Sequence, residues 1–86
     1  MNLHVIYTRD NLILLSRKQY VSWQEIQEDI EDYMASLGPW LPEQTIEYLQ
    51  EEHPGLSPDA AEQVRAFLSM SETTITLRFK SSGTDD

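Results

Sequence analysis

Two apolar runs open the chain, Leu3 to Thr8 and Leu12 to Ser16, and Arg9, Asp10 and Asn11 separate them. Both are rich in Val, Ile, Leu and Tyr, so they read as the strands of a hairpin. Asp10 and Asn11 suit the turn, because both tolerate left-handed backbone geometry. The apolar residues sit on consecutive positions rather than alternating, so at least one of these strands is expected to be covered on both faces or to lie centrally.

The period then changes to that of a helix. Ser22 followed by Glu25 forms a capping-box pattern ahead of Trp23, Ile26, Ile30, Tyr33, Met34 and Leu37, which share one stripe. Glu25, Glu28, Asp29 and Asp32 share the opposite one. Gly38 and Pro39 end this segment, so the spacing predicts a first helix from Ser22 to Leu37. A second helix begins at Pro42, with Leu41, Thr45, Tyr48 and Leu49 inward and Glu43, Glu47 and Glu51 outward, and it stops at His53, Pro54 and Gly55. Ser57, Pro58 and Asp59 start a third, whose apolar face is Ala60, Ala61, Val64, Phe67 and Leu68.

Thr73 to Lys80 alternates as a half-exposed strand, with Ile75, Leu77 and Phe79 on one side. Three intervening helices make this strand run parallel to the second and able to pair antiparallel with the first. The expected fold is therefore α+β: a three-stranded, antiparallel-type sheet of order 2-1-3, built from the N-terminal hairpin and the C-terminal strand, with three helices packed on one face. Residues 1–80 read as a single domain and 81–86 as a disordered tail. No internal repeat is visible.

At 86 residues, with 40% apolar content and no cysteine, the chain must be stabilised by packing alone. The absence of cysteine fits a reducing cytoplasm, and no signal layout or long apolar stretch points to export or to a membrane. A catalytic site would need a nucleophile, a base or a metal. His4 and His53 stand far apart in sequence and read as a strand-face histidine and a helix C-terminal one favoured by the dipole. No phosphate-binding glycine loop or nucleophile elbow occurs, so neither enzymatic activity nor a cofactor or metal is expected.

Charge is the informative feature. The net charge is -9, and between Gln19 and Val64 stand Glu25, Glu28, Asp29, Glu31, Asp32, Glu43, Glu47, Glu51, Glu52, Asp59 and Glu62 without a single lysine or arginine. A solvated helix ordinarily mixes signs, because Glu–Lys pairs four apart stabilise it and like pairs cost a similar amount. Carboxylates three and four apart lie roughly 5 to 6 Å from each other, so two helices side by side would present rows of negative charge resembling a phosphate backbone. The expected partner-binding residues are Glu25, Glu28, Asp29, Asp32, Glu43, Glu47, Glu51 and Trp40. Trp40, in the link between two helices, reads either as a lid on the core or as an interface anchor. In the 2-1-3 sheet, Arg17, Lys18, Arg78 and Lys80 would gather into a small basic patch.

In size, acidity and lack of catalytic motifs the chain resembles the small acidic inhibitors of mobile genetic elements, such as anti-CRISPR proteins and DNA mimics, although no family motif matches. The resemblance implies a cytoplasmic phage-type inhibitor that occupies the basic surface of a nucleic-acid-handling protein. It implies no direct binding of nucleic acid, which the net charge opposes. Two alternatives stand beside it: an immunity protein or antitoxin for a cationic nuclease, and an assembly module that oligomerises, for example as a homodimer, through its sheet.

Overall fold

The hairpin forms and becomes the centre of the sheet. In the computed structural model, which describes residues 2–79, the chain runs β1 (Leu3–Thr8), β2 (Ile13–Ser16), α1 (Trp23–Asp29), β3 (Tyr33–Trp40), α2 (Pro42–Glu52), α3 (Ala60–Ser69) and β4 (Thr74–Thr76). Asn11 takes the left-handed conformation at φ 64° and closes the turn. The expected tail at 81–86, and Lys80, lie outside the described residues.

The architecture is α+β with one antiparallel sheet and three helices, but the sheet has four strands in the order β3-β1-β2-β4. Three expectations are corrected. The strand beside β1 is β3, formed from what the spacing had assigned to the second half of the first helix. The C-terminal strand pairs with β2 instead, antiparallel, at Leu14–Thr76, Leu15–Ile75 and Ser16–Thr74. The added strand contributes one more chain reversal, which inverts the direction of everything after it. Finally, the helices do not share one face.

The faces follow from the pleat. Leu3, Val5, Ile13 and Leu15 point into the larger core with Leu49, Leu56, Ala60, Val64, Phe67 and Leu77. Ile6 and Leu14 point the other way and are covered by Ile26 of α1, flanked by Tyr20, Ile30 and Tyr33. Thus α2 and α3 lie on one side and α1 on the other, and the consecutive apolar positions of the hairpin are explained by two-sided burial.

The early end of α1 has a charge argument. A helix continuing to Leu37 would stack Glu25, Glu28, Asp29 and Asp32 with no cation between them. Ending at Asp29 puts Glu31 and Asp32 into a turn and frees residues 33–40 to bond β1, from Thr8–Tyr33 to Leu3–Trp40. The expected capping box does not form: the Ser22 side chain makes no cap bond, and the Glu25 carboxylate accepts instead from the N–H of Val21, one residue before the cap, at 2.9 Å. On α2, Leu41 is exposed rather than inward, and the Gln44 carboxamide oxygen accepts from its N–H at 3.0 Å. Asp59 caps α3 as expected, accepting from the Glu62 N–H at 2.9 Å.

The basic patch is absent among the described residues. Antiparallel pairing of β4 with β2 sends Arg78 towards the hairpin turn, where the Leu77 N–H bonds the Ile13 carbonyl, while Arg17 and Lys18 follow the other end of β2. Arg17 is used structurally. Its guanidinium donates to the carbonyls of Phe67 and Met70 at the C-terminus of α3, and lies 4.4 Å from the centre of the Phe67 ring. The last turn of α3 has no cation of its own, so this arginine satisfies carbonyls the helix leaves open. Buried Gln63 plays a similar part, donating to the Pro58 and Arg78 carbonyls and accepting from the Arg78 N–H.

Two substitutions test this frame. Gly38 holds φ at 110°, and a Cβ there would stand 2.6 Å from the Leu3 carbonyl oxygen, so Gly38→Ala is expected to destabilise the protein by roughly 1–3 kcal/mol. Arg17→Ala removes the α3 cap and the ring contact and is expected to lose about 1–2 kcal/mol. The shift in denaturant midpoint at unchanged slope measures both.

Candidate functional site

The eight expected partner-binding residues separate into two groups. Glu25, Glu28 and Asp29 belong to α1, with Asp32 in the turn that follows; Glu43, Glu47 and Glu51 belong to α2, with Trp40 at the end of β3. Because Ile26 anchors α1 to the Ile6 side and Leu49 anchors α2 to the Val5 side, the two acidic rows lie on opposite faces of the sheet. The side-by-side double row expected from spacing is not formed. All eleven carboxylates between Gln19 and Val64 are nevertheless exposed.

The α1 group is partly neutralised from within. Lys18 Nζ lies 3.3 Å from Asp29 Oδ2, the single ion pair among the described residues. The Tyr20 hydroxyl donates to the same oxygen at 2.6 Å. The Tyr20 bond first, and Lys18 second, hold the Asp29 carboxyl below its usual range. Burial, and then that bond, push the Tyr20 phenol up to about 12. Lys18 also sits 5.4 Å from the centre of the Tyr20 ring. An open hollow of about 370 Å³ lined by Lys18, Tyr20, Glu25, Glu28 and Asp29 therefore contains its own cation. Asp32 lies beyond it, at the hairpin end. There it hydrogen-bonds Asp10 and so raises that carboxyl, and its carbonyl accepts from the Arg9 N–H at 2.9 Å.

Among the described residues, the α2 group has no such cation. Trp40 and Tyr48 pack with ring centres 5.1 Å apart at 58°, beside an open hollow of about 520 Å³ lined by Trp40, Gln44, Glu47, Tyr48 and Glu51. Tyr48 is held from behind. Its hydroxyl is 2.6 Å from that of Tyr7, which in turn lies 2.9 Å from His53 Nε2. Burial, then the Tyr48 hydrogen bond, raise the Tyr7 phenol, which stays protonated as the bridge between the two. Trp40 packs against the larger core, as a lid would, and also lines the acidic hollow. Two carboxylates beside two aromatic rings offer an ammonium or guanidinium group the chemistry of both ion pairing and attraction to the ring faces.

Sequence reasoning missed the Tyr7–Tyr48–His53 chain and the Lys18–Tyr20–Asp29 network, because each joins residues from separate elements. The expected strand-face His4 is buried against Tyr20, ring centres 5.3 Å apart, and burial lowers its pKa. Among the described residues, no group of three or more His, Asp or Glu could hold a metal ion, and no helix is long and apolar enough to cross a membrane. No protein-family model, curated protein or solved structure matches the chain.

The Tyr20 phenol generates a pH prediction. Its pKa rises from 10.0 to about 12 on folding, so its contribution to stability is complete below pH 10 and is lost as pH rises through 12. Tyr20→Phe is expected to flatten that alkaline decline in urea midpoint and to remove one late-ionising phenol from the ultraviolet titration.

Proposed function

We propose that this chain is a small acidic binding protein that inhibits a nucleic-acid-handling protein by occupying its basic surface, in the manner of phage-type anti-CRISPR or DNA-mimic inhibitors. The observation that carries the reading is the unmixed run of eleven carboxylates between Gln19 and Val64, all of them exposed. Such a row costs helix stability through like-charge repulsion. It becomes advantageous when a cationic surface neutralises it, and the long-range field of a chain at -9 steers such a surface in.

The α2 side is the primary contact. Lys18 offsets part of the field on α1, whereas Glu43, Glu47 and Glu51 have no ion-pair partner among the described residues, and Glu47 and Glu51 adjoin Trp40 and Tyr48. Aromatic side chains supply area and residence time where carboxylates supply approach rate. Opposed helices also mean that a partner engages one acidic row at a time, so α2 imitates a single strand of phosphates. The absence of cysteine supports a cytoplasmic setting.

Capture of the partner from host lysate, followed by titration of the purified pair, tests the proposal. Affinity is expected to fall steeply as salt rises. The paired reversal Glu43→Lys with Glu47→Lys is expected to weaken binding on the order of 10- to 100-fold, and Glu28→Lys with Asp32→Lys by much less. Thermal melts should be unchanged or slightly raised, since each reversal relieves repulsion along its row. If both double variants bind as tightly as the parent, the acidic-surface reading is wrong.

A further inference from the structure

β3 is the outermost strand of the sheet beyond β1. An edge strand of an antiparallel sheet turns alternate N–H and C=O groups away from its one neighbour, and proteins usually guard such an edge with charge, proline or short length. Over Tyr33–Trp40 this edge is eight residues long and carries no charged side chain. Gly38 and Pro39 bend the pairing between Leu3 and Val5 out of register at one end, and a second irregularity between Tyr7 and Thr8 leaves Met34 without a partner on β1 at the other. Tyr33 to Leu37 is left open, with Met34 58% exposed and Ala35 exposed. Among the described residues, apart from Tyr33 N–H bonding the Ile30 carbonyl, no backbone group of Tyr33–Leu37 bonds anything outside the sheet.

The surroundings of this edge choose its occupant. β3 is contacted by α1 on one face and α2 on the other. On the α2 face its register exposes Ala35, Leu37 and Trp40 in sequence, opposite Tyr7, Val5 and Leu3, and Trp40 leads directly into the Glu47–Glu51 hollow. On the α1 face, Ser36, Gly38 and Pro39 form with Trp23 and Ile26 a smaller groove of about 290 Å³. A second copy of this chain, pairing edge to edge, would bring the acidic helices of two molecules at -9 against each other. A cationic strand meets the opposite: backbone bonds along its length and carboxylates beside it.

We propose that the open edge of β3 is a strand-addition site for an extended segment of the partner carrying Lys or Arg at alternate positions, one of which enters the Trp40–Tyr48–Glu47–Glu51 hollow. The inference rests on the acidic-surface reading above and specifies how that surface grips its target: main-chain bonds to Tyr33–Leu37 give affinity, and the hollow selects the cation.

The probe is a synthetic peptide alternating Lys with Thr, compared with the same peptide N-methylated on alternate amides so that one edge of its backbone cannot donate. Each is titrated into the isotopically labelled protein. The expected result is that the plain peptide shifts the amide signals of Met34 to Leu37 and protects them from hydrogen exchange. Methylation on the edge facing β3 should abolish that protection and weaken binding at least tenfold. Glu47→Gln with Glu51→Gln, both on the exposed face of α2, should weaken the plain peptide roughly tenfold while leaving the fold intact.

Equal, salt-sensitive binding of both peptides would overturn strand addition while leaving the acidic-surface reading standing. Failure of both peptides to bind at low salt would overturn both readings. Protection of the same amides without peptide, together with a concentration-dependent dimer in sedimentation, would assign the edge to a second copy and overturn the proposal.

Discussion

The structure depends on one constraint: the β1–β2 hairpin is apolar on both faces and must be covered on both. Val5 and Leu15 on one side, and Ile6 and Leu14 on the other, are nearly or fully removed from solvent. A chain of this size has too few helices to stack them all on one face and leave the other bare. The consequence is a division of labour, with α2 and α3 building the larger core while the single short helix α1 seals the smaller one through Ile26. The same demand extends to the edges, since β1 and β2 each need a second hydrogen-bonding neighbour and obtain it from β3 and β4.

That division decides the electrostatics. Helices that pack through an apolar stripe turn their opposite stripe to water, so each acidic row is exposed to solvent. Placing the helices on opposite faces separates the rows and leaves the uncharged β3 edge between them. The internal networks then distinguish the two sides. Lys18 and Tyr20 fold over Asp29 and quiet the α1 surface. On α2 the nearest groups are aromatic, and the Tyr7–Tyr48–His53 chain fixes Tyr48 while leaving Glu47 and Glu51 free to meet an external cation.

The basic residues show the same economy. Arg17 closes the C-terminus of α3 and Lys18 pairs with Asp29, so both are engaged within the chain. Cations used in this way stabilise the fold without diluting the acidity of the α2 exterior.

Local signals in the sequence were sufficient for the hairpin, for the left-handed Asn11, for the Asp59 cap, for α2 and α3, and for the exposure of Glu25, Glu28, Asp29, Asp32, Glu43, Glu47 and Glu51, because turn chemistry and helical period act within a few neighbouring residues. They were insufficient at Tyr33–Trp40. Tyr33 and Leu37 lie four apart, as a helix stripe requires, yet the edge of β1 offered these residues a ladder of hydrogen bonds that periodicity cannot register. From that one segment follow the sheet order, the direction of β4, the opposed acidic rows and the scattering of Arg17, Lys18 and Arg78. Pairing across long sequence separations is cooperative and depends on which edges remain unsatisfied. Side-chain pattern alone therefore determined what each segment wanted to bury, and tertiary structure decided against which neighbour it did so.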